Sequence, residues 1–270
     1  MPSIYDCSDP DELLTGTRLA RQALGRGELV VIPTDTVYGV AADAFNAAAV
    51  QSLLDAKGRG RQSPPPVLIP DLKTLDALAA TVPDEARQLA EAFWPGGLTI
   101  VFNAQPSLVW DLGETRGTVA LRMPDHKLTL ELLGETGPLA VSSANKTGLP
   151  AAKTAVTAEE MLGDAVAVYL DAGLAGAAYD GVTESGASES STIVDVTGLA
   201  DGRGVRILRQ GVVSADELRA VIGDKLQTAE QVSAVSGDEG ADPVGQHSPD
   251  AEQAVPARDE LPPEPADPEA

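Results

Sequence analysis

Leu29-Val30-Val31-Ile32-Pro33-Thr34-Asp35-Thr36-Val37-Tyr38-Gly39 joins a buried run to a polar loop. The first four residues are apolar without a break and are stopped by proline, which predicts a short buried strand. The loop behind it crowds three hydroxyls and a carboxylate into five residues. Open α/β sheets take their ligands at strand ends, so such a loop is a candidate binding element. The alternative is a capped turn whose hydroxyls bond their own backbone. Upstream, Asp9-Pro10 opens a helix that Gly25 or Gly27 stops. Downstream, Asn46 caps a helix that ends at Lys57-Gly58. The alternation continues with strands at 67–69, 98–102, 118–123 and 139–142, and near 166–170, 191–196 and 205–209. Helices are predicted near 71–80, 83–93 and 126–133, and capping boxes at Thr157-x-x-Glu160 and Ser214-x-x-Glu217. The pattern predicts one α/β domain, residues 1–224, around a twisted mixed sheet flanked by helices.

Composition agrees with a globular body. Of 270 residues, 43% are hydrophobic and only 3% aromatic, so Val, Leu, Ile and Ala must build the core. This excludes a collagen-like chain, a wholly disordered chain and a disulfide scaffold. One cysteine, Cys7, and two histidines, His126 and His247, cannot assemble a zinc cluster of the usual kind, and no metal site is expected. Neither a signal peptide nor an apolar run of membrane-spanning length is present, which points to a cytoplasmic protein with no membrane partner. Nineteen basic and 41 acidic residues give a net charge of −22. Residues 225–270 hold 11 of the acidic and two of the basic residues, with seven prolines and no aromatic. Such an acidic, Pro-rich tail is expected to be disordered, because it cannot bury enough apolar surface to offset its ordering entropy.

Three further segments differ from ordinary connectors. Lys57-Gly58-Arg59-Gly60-Arg61-Gln62-Ser63-Pro64 concentrates cations in an acidic protein, with glycines that let the backbone approach a ligand. Arginine and lysine together suit a polyphosphate; the alternative is a solvated helix end whose cations complement the helix dipole. Val141-Ser142-Ser143-Ala144-Asn145-Lys146-Thr147-Gly148 follows a strand with hydroxyls and an amide, as does a capped turn. The serine-rich loop from Gly186 enters a strand at Ser191-Thr192. Arg122 and Arg209 interrupt apolar strands, so each either pairs with a carboxylate or faces a cleft. There is no G-x-S-x-G elbow, no Walker loop and no G-x-G-x-x-G after the first strand. The remaining inventory of hydroxyls, an amide and cations suits chemistry by positioning and charge stabilisation, as in nucleotidyl transfer.

Taken in order, these pieces resemble the YrdC/Sua5 family of L-threonylcarbamoyladenylate synthases, in its short form. The matching segments are Pro33–Gly39, Lys57-Gly58-Arg59, Phe93-Trp94-Pro95-Gly96-Gly97-Leu98-Thr99, Val119–Pro124, Ser143-Ala144-Asn145, Ser191–Asp195 and the strand-ending Arg209. The resemblance implies a YrdC-like domain with an open cationic cleft. It also implies the joining of L-threonine, bicarbonate or CO2, and ATP, with Mg²⁺, into threonylcarbamoyl-AMP and pyrophosphate. A transfer RNA threonylcarbamoyl transferase machinery would consume the product. By motif position, Thr36, Arg122, Ser143 and Ser191 would hold threonine. Arg59, Ser63, Thr118, Asn145, Lys153 and Arg209 would line ATP, and Lys57 and Arg59 would be catalytic through the phosphates. A competing reading is a double-stranded RNA-binding or ribosome-maturation module, with weak RNA contact at the same cleft. The net charge of −22 argues against it.

Overall fold

The structure, a computed structural model, describes residues 3–179 and 187–227. Ten strands form one sheet: β1 (Ser3–Asp6), β2 (Val30–Ile32), β3 (Gly39–Asp43), β4 (Val67–Leu68), β5 (Leu98–Asn103), β6 (Thr118–Arg122), β7 (Leu139–Ser143), β8 (Val168–Asp171), β9 (Thr192–Asp195) and β10 (Arg206–Arg209). Among the described residues seven α-helices accompany them: α1 (Pro10–Gly25), α2 (Ala47–Lys57), α3 (Leu72–Leu78), α4 (Asp84–Phe93), α5 (Lys127–Thr136), α6 (Ala155–Leu162) and α7 (Ala215–Ile222). The strand order is β1-β8-β2-β3-β7-β4-β6-β5-β9-β10. The pairs β1–β8, β2–β8, β4–β6 and β5–β9 are parallel and the rest antiparallel, so the sheet is mixed, as the pattern predicts.

Period-2 alternation decides what covers each face. In β2, Val31 packs under α2 and α6, while Val30 and Ile32 turn to α1 and α5. In β7, Ala140 joins the core under α3, α4 and α7, while Leu139 and Val141 join α1 and α5. One face is thus covered from β8 to β9, while Ile4 of the edge strand β1 stays exposed on it. The other is covered by α1 and α5 only as far as β4. Beyond it, Val119, Leu121, Ile100, Phe102 and Val194 point into the core. Their alternates Thr118, Ala120, Val101, Ile193 and Asp195 are only partly buried, on a face that no helix covers.

Two strands escape the sequence pattern. β3, Gly39-Val40-Ala41-Ala42-Asp43, lies centrally between β2 and β7, yet Gly, Ala and Asp are poor strand formers. Its glycine is required by closeness: a Cβ on Gly39 would lie 2.5 Å from Val141 Cγ1. β1 is a four-residue edge strand held by β8 alone. The capping box at Ser214 and Glu217 forms as expected. The one expected at Thr157 does not. There α6 starts earlier, capped by Thr154, whose hydroxyl accepts from Thr157 N at 3.2 Å, because Ala155 and Ala158 share one fully buried face. None of the helices among the described residues is long and apolar enough to cross a membrane.

The folded body extends past the expected boundary at residue 224. Val205 N donates to Lys225 O at 2.7 Å, and Gln227 N to Val205 O at 2.8 Å. Between them Leu226 is 3% exposed in the core under α4 and α7. The rest of the predicted tail, from 228, lies outside the described residues. Leu226→Ala should lower stability by about 2 kcal/mol or more, roughly 4–8 °C in melting temperature. An unchanged melting curve would show that this segment does not close the core.

Candidate active site

The uncovered strand face meets three loops, and their polar side chains interlock. The loop between β2 and β3 supplies Asp35 and Thr36. Thr34 holds it, its hydroxyl donating to Val37 O at 2.6 Å and accepting from Thr36 N at 3.2 Å, as in the capped-turn reading. From the end of β6, Arg122 reaches this loop. Its Nη2 meets Asp35 Oδ1 at 2.6 Å, its Nη1 donates to Thr36 Oγ1 at 3.1 Å, and its Nε donates to Gly96 O at 2.9 Å. The two charged side chains are 7% and 5% exposed, a buried pair. Asp35 also accepts from Asp125 N at 3.0 Å and from the Tyr179 hydroxyl at 3.1 Å. Burial, then Asp35, raises the Tyr179 phenol to about 12, so it acts as a donor.

Next to this pair lies the end of β7. Lys57, 3% exposed at the end of α2, points its ammonium at Ser143 O, Asn145 O and Asn145 Oδ1. Burial, then Arg59, pushes Lys57 down to about 7. Three acceptors around Nζ call for three donated protons and favour the charged form. The Asn145 amide is committed as well, donating to Lys146 O and Leu149 O. Gly58, in the left-handed conformation at φ 62°, ends α2 and turns the chain so that Arg59 extends over β7. Arg59 Nη1 donates to Ser142 Oγ at 3.3 Å.

On the other side, Ser191 Oγ lies 2.8 Å from Thr99 Oγ1, and Arg209 Nη2 donates to Ser191 O at 2.7 Å. Arg209 is solvent-exposed, yet surrounding protein, then Arg122 and Arg59, lower it to about 10. The pairing of β5 with β6 sets Thr99 opposite Arg122, so Ser191 and Arg209 lie on the same side of the sheet as Arg122. His126, capping α5 beside Asp35 and Asp125, has its pKa lowered by burial, and its Nδ1 has no hydrogen-bond partner.

The structure therefore brings together Thr36, Lys57, Arg59, Arg122, Ser143, Asn145, Ser191 and Arg209. Thr118 shares a face of β6 with Arg122 but sits four residues away, roughly 13 Å along the strand. Its hydroxyl donates to Thr115 O. Ser63 lies where the cationic loop closes, its N donating to Gly60 O. Lys153 pairs with Glu189 at 2.9 Å, linking the segment before α6 to the loop before β9. Sequence reasoning missed three participants: Asp35 as the partner of Arg122, Thr99 behind Ser191, and Tyr179. Thr99 left a trace as the hydroxyl in the apolar run Leu98–Phe102; Tyr179, after two alanines, left none. Among the described residues, no group of three or more His, Cys, Asp or Glu side chains is placed to hold a metal. A cavity of about 610 Å³ lined by Glu85, Arg203 and Lys225 contains none of these site residues.

Comparison with known proteins identifies the family. Residues 22–211 match the Sua5/YciO/YrdC family model, described as telomere recombination. A Bacillus subtilis threonylcarbamoyl-AMP synthase is 38% identical, over 79% of this chain and 59% of its own. A Mycobacterium leprae relative, provisionally given the same name, is 50% identical over 83% of this chain and 95% of its own length. Pyrococcus abyssi Sua5, solved in complex with L-threonine, superposes with a TM-score of 0.68 at 33% identity, covering 78% of this chain and 58% of that one. The chain thus spans about six tenths of the Bacillus and Pyrococcus proteins. The order of the loops, the open strand face they border and the extent of the match make this chain a member of the Sua5/YciO/YrdC family.

Proposed function

We infer that the protein is an L-threonylcarbamoyladenylate synthase, a nucleotidyltransferase. The observation that carries this reading is the convergence of Arg122 and Arg209 with the hydroxyls of Thr36, Thr99 and Ser191 on one uncovered strand face, with Arg59 reaching the end of the nearby strand β7. The neutral threonine amine adds to CO2, forming an N–C bond and releasing a proton. A carbamate oxygen then attacks the α-phosphorus of ATP, the bond to the β-phosphate oxygen breaks, and pyrophosphate leaves. No covalent enzyme intermediate is needed, so the protein's work is positioning and charge neutralisation.

In this reading the N–H groups of Arg122 not engaged with Asp35, Thr36 and Gly96 receive the threonine carboxylate. Ser191, its hydroxyl held by Thr99, and Thr36 read the side-chain hydroxyl, with Ser143 beside them. ATP lies along the open strands, its nucleoside toward Ser63 and Thr118 and its phosphates at Arg59 and Arg209, with Lys153 at the rim. Mg²⁺ arriving with ATP would supply further charge neutralisation, and among the described residues no carboxylate cluster is placed to hold it. Lys57 and Asn145 spend their polar groups on each other and on carbonyls, which supports a role in shaping the phosphate loop rather than touching phosphate. The mixed-anhydride product is reactive and is to be consumed by the transferase that modifies transfer RNA in the cytoplasm. An RNA-binding module is the less favoured reading, since the chain carries a net charge of −22 and the Bacillus and Pyrococcus relatives are named threonylcarbamoyl-AMP synthases.

The test is pyrophosphate release from ATP with threonine and bicarbonate supplied and withheld. Both should be required. Loss of the substrate methyl costs about 10–200-fold, so serine should be a poor but detectable substrate. Valine and 2-aminobutyrate leave hydroxyl partners unpaired and should be nearly inactive. Valine turnover equal to threonine turnover would remove the threonine assignment.

Arg59 and Lys57 should separate by mechanism. Arg59→Ala should lower turnover by about two orders of magnitude with an unchanged melting temperature. Lys57→Met should lower turnover as far and also lower the melting temperature, because Ser143 O and Asn145 O lose their buried donor. Equal melting temperatures for the two variants would show that Lys57 does not hold the loop.

A further inference from the structure

Asp35 is a carboxylate 5% exposed in a site that otherwise gathers cations. Both of its oxygens are committed, and to three parts of the chain. Oδ1 accepts from Arg122 at the end of β6 and from Asp125 N just before α5. Oδ2 accepts from Tyr179, beyond β8. Arg122 in turn is gripped from three directions, by Asp35, Thr36 Oγ1 and Gly96 O. A planar guanidinium bonded at Nε, Nη1 and Nη2 to groups on separate loops has its plane and rotation set.

The loop is built to keep this arrangement. Gly176, at φ 84°, lies so close that a Cβ there would come 2.5 Å from Thr36 O. A Cβ on Gly97 would come 3.0 Å from the Tyr179 hydroxyl. Gly176 is thereby packed against the Asp35 loop, and Tyr179 lies between that loop and Gly97.

We propose that Asp35 is a positioning residue for amino-acid selection, fixing the Arg122 guanidinium in the orientation at which an α-carboxylate docks on its remaining N–H groups. The proposal rests on the reading that Arg122 receives that carboxylate. Arg122 has to meet a carboxylate bidentately to tell an amino acid from a neutral analogue, and that demands a fixed plane more than it demands extra charge. Arg59 and Arg209 already supply cations to the recess, whereas Asp35 subtracts one. What Asp35 adds is geometry, with a buried partner that keeps Arg122 from swinging toward the phosphate end.

The experiment measures steady-state pyrophosphate release as a function of threonine at saturating ATP, and of ATP at saturating threonine. Asp35→Ala should raise the threonine KM about tenfold or more, the scale for a misplaced binding group, with the ATP KM changed less than about twofold. Asp35→Asn keeps an oxygen for Arg122 and Asp125 N and offers Tyr179 an amide, so it should return the threonine KM to within about threefold of the original. A threonine KM unmoved in Asp35→Ala, or an ATP KM raised in equal proportion, overturns the proposal. Arg122→Gln separates the two inferences. If it raises the threonine KM while Asp35→Ala does not, the role given to Asp35 fails and the amino-acid site stands. If it leaves the threonine KM unchanged, the site assignment fails and the proposal with it. Should Asp35→Ala not fold, Tyr179→Phe, which deletes one donor to Asp35, should raise the threonine KM about threefold. No change there overturns the proposal equally.

Discussion

The second face of the sheet is covered by α1 and α5 as far as β4, and the site depends on that stop. A strand shows alternate side chains to opposite faces, so one covered face suffices to fold β6, β5 and β9. Their other residues are then released from packing. Thr99, Thr118 and Arg122 stand at positions where a covered sheet would need Val or Leu. The same sheet carries an ordinary core and a polar floor in alternating register, and neither disturbs the other.

On that floor the local charge reverses the global one. The chain is strongly acidic, yet burial and then the cations Arg122 and Arg59 depress Arg209. Gathering cations in a partly desolvated recess is unfavourable, and the fold offsets it unevenly. Arg122 receives a full carboxylate partner. Among the described residues, Arg209 receives only the carbonyl and hydroxyl of Ser191, and Arg59 a hydroxyl. The cations with only neutral partners are the ones that gain most from an incoming polyanion, which is why the phosphates are assigned to them and the smaller carboxylate to Arg122.

Much of this was legible in the residues. Apolar runs and caps located eight of the ten strands and the main helices, because those elements are uniformly buried or carry strong end signals. β3 was not, since Gly39 and its alanines are there to let β2 and β7 approach, a reason that exists only in three dimensions. The strand cations Arg122 and Arg209 announced themselves, as a charge in an apolar run always requires an explanation. Of the two alternatives for Arg122, a carboxylate partner or a cleft, the structure shows the first, in Asp35. Tyr179 was silent because nothing local distinguishes a tyrosine after two alanines. Its role comes from packing against Gly97, more than eighty residues earlier in the chain.

The residues most visible in the motif are not those with free polar groups. Lys57 and Asn145 form the most recognisable pair, yet each uses its side chain on the other and on neighbouring carbonyls. A buried ammonium with three acceptors, and an amide donating to two carbonyls, leave little to offer a ligand without breaking a bond already made. Such residues are intolerant of change for a reason distinct from ligand contact: removing either orphans several buried partners at once. By this argument a recurrent motif in a strand-end loop identifies where the backbone must be held still. The groups that meet substrate are then sought among its neighbours whose hydrogen-bonding capacity is incompletely used, here Arg59, Arg209 and the unengaged edge of Arg122.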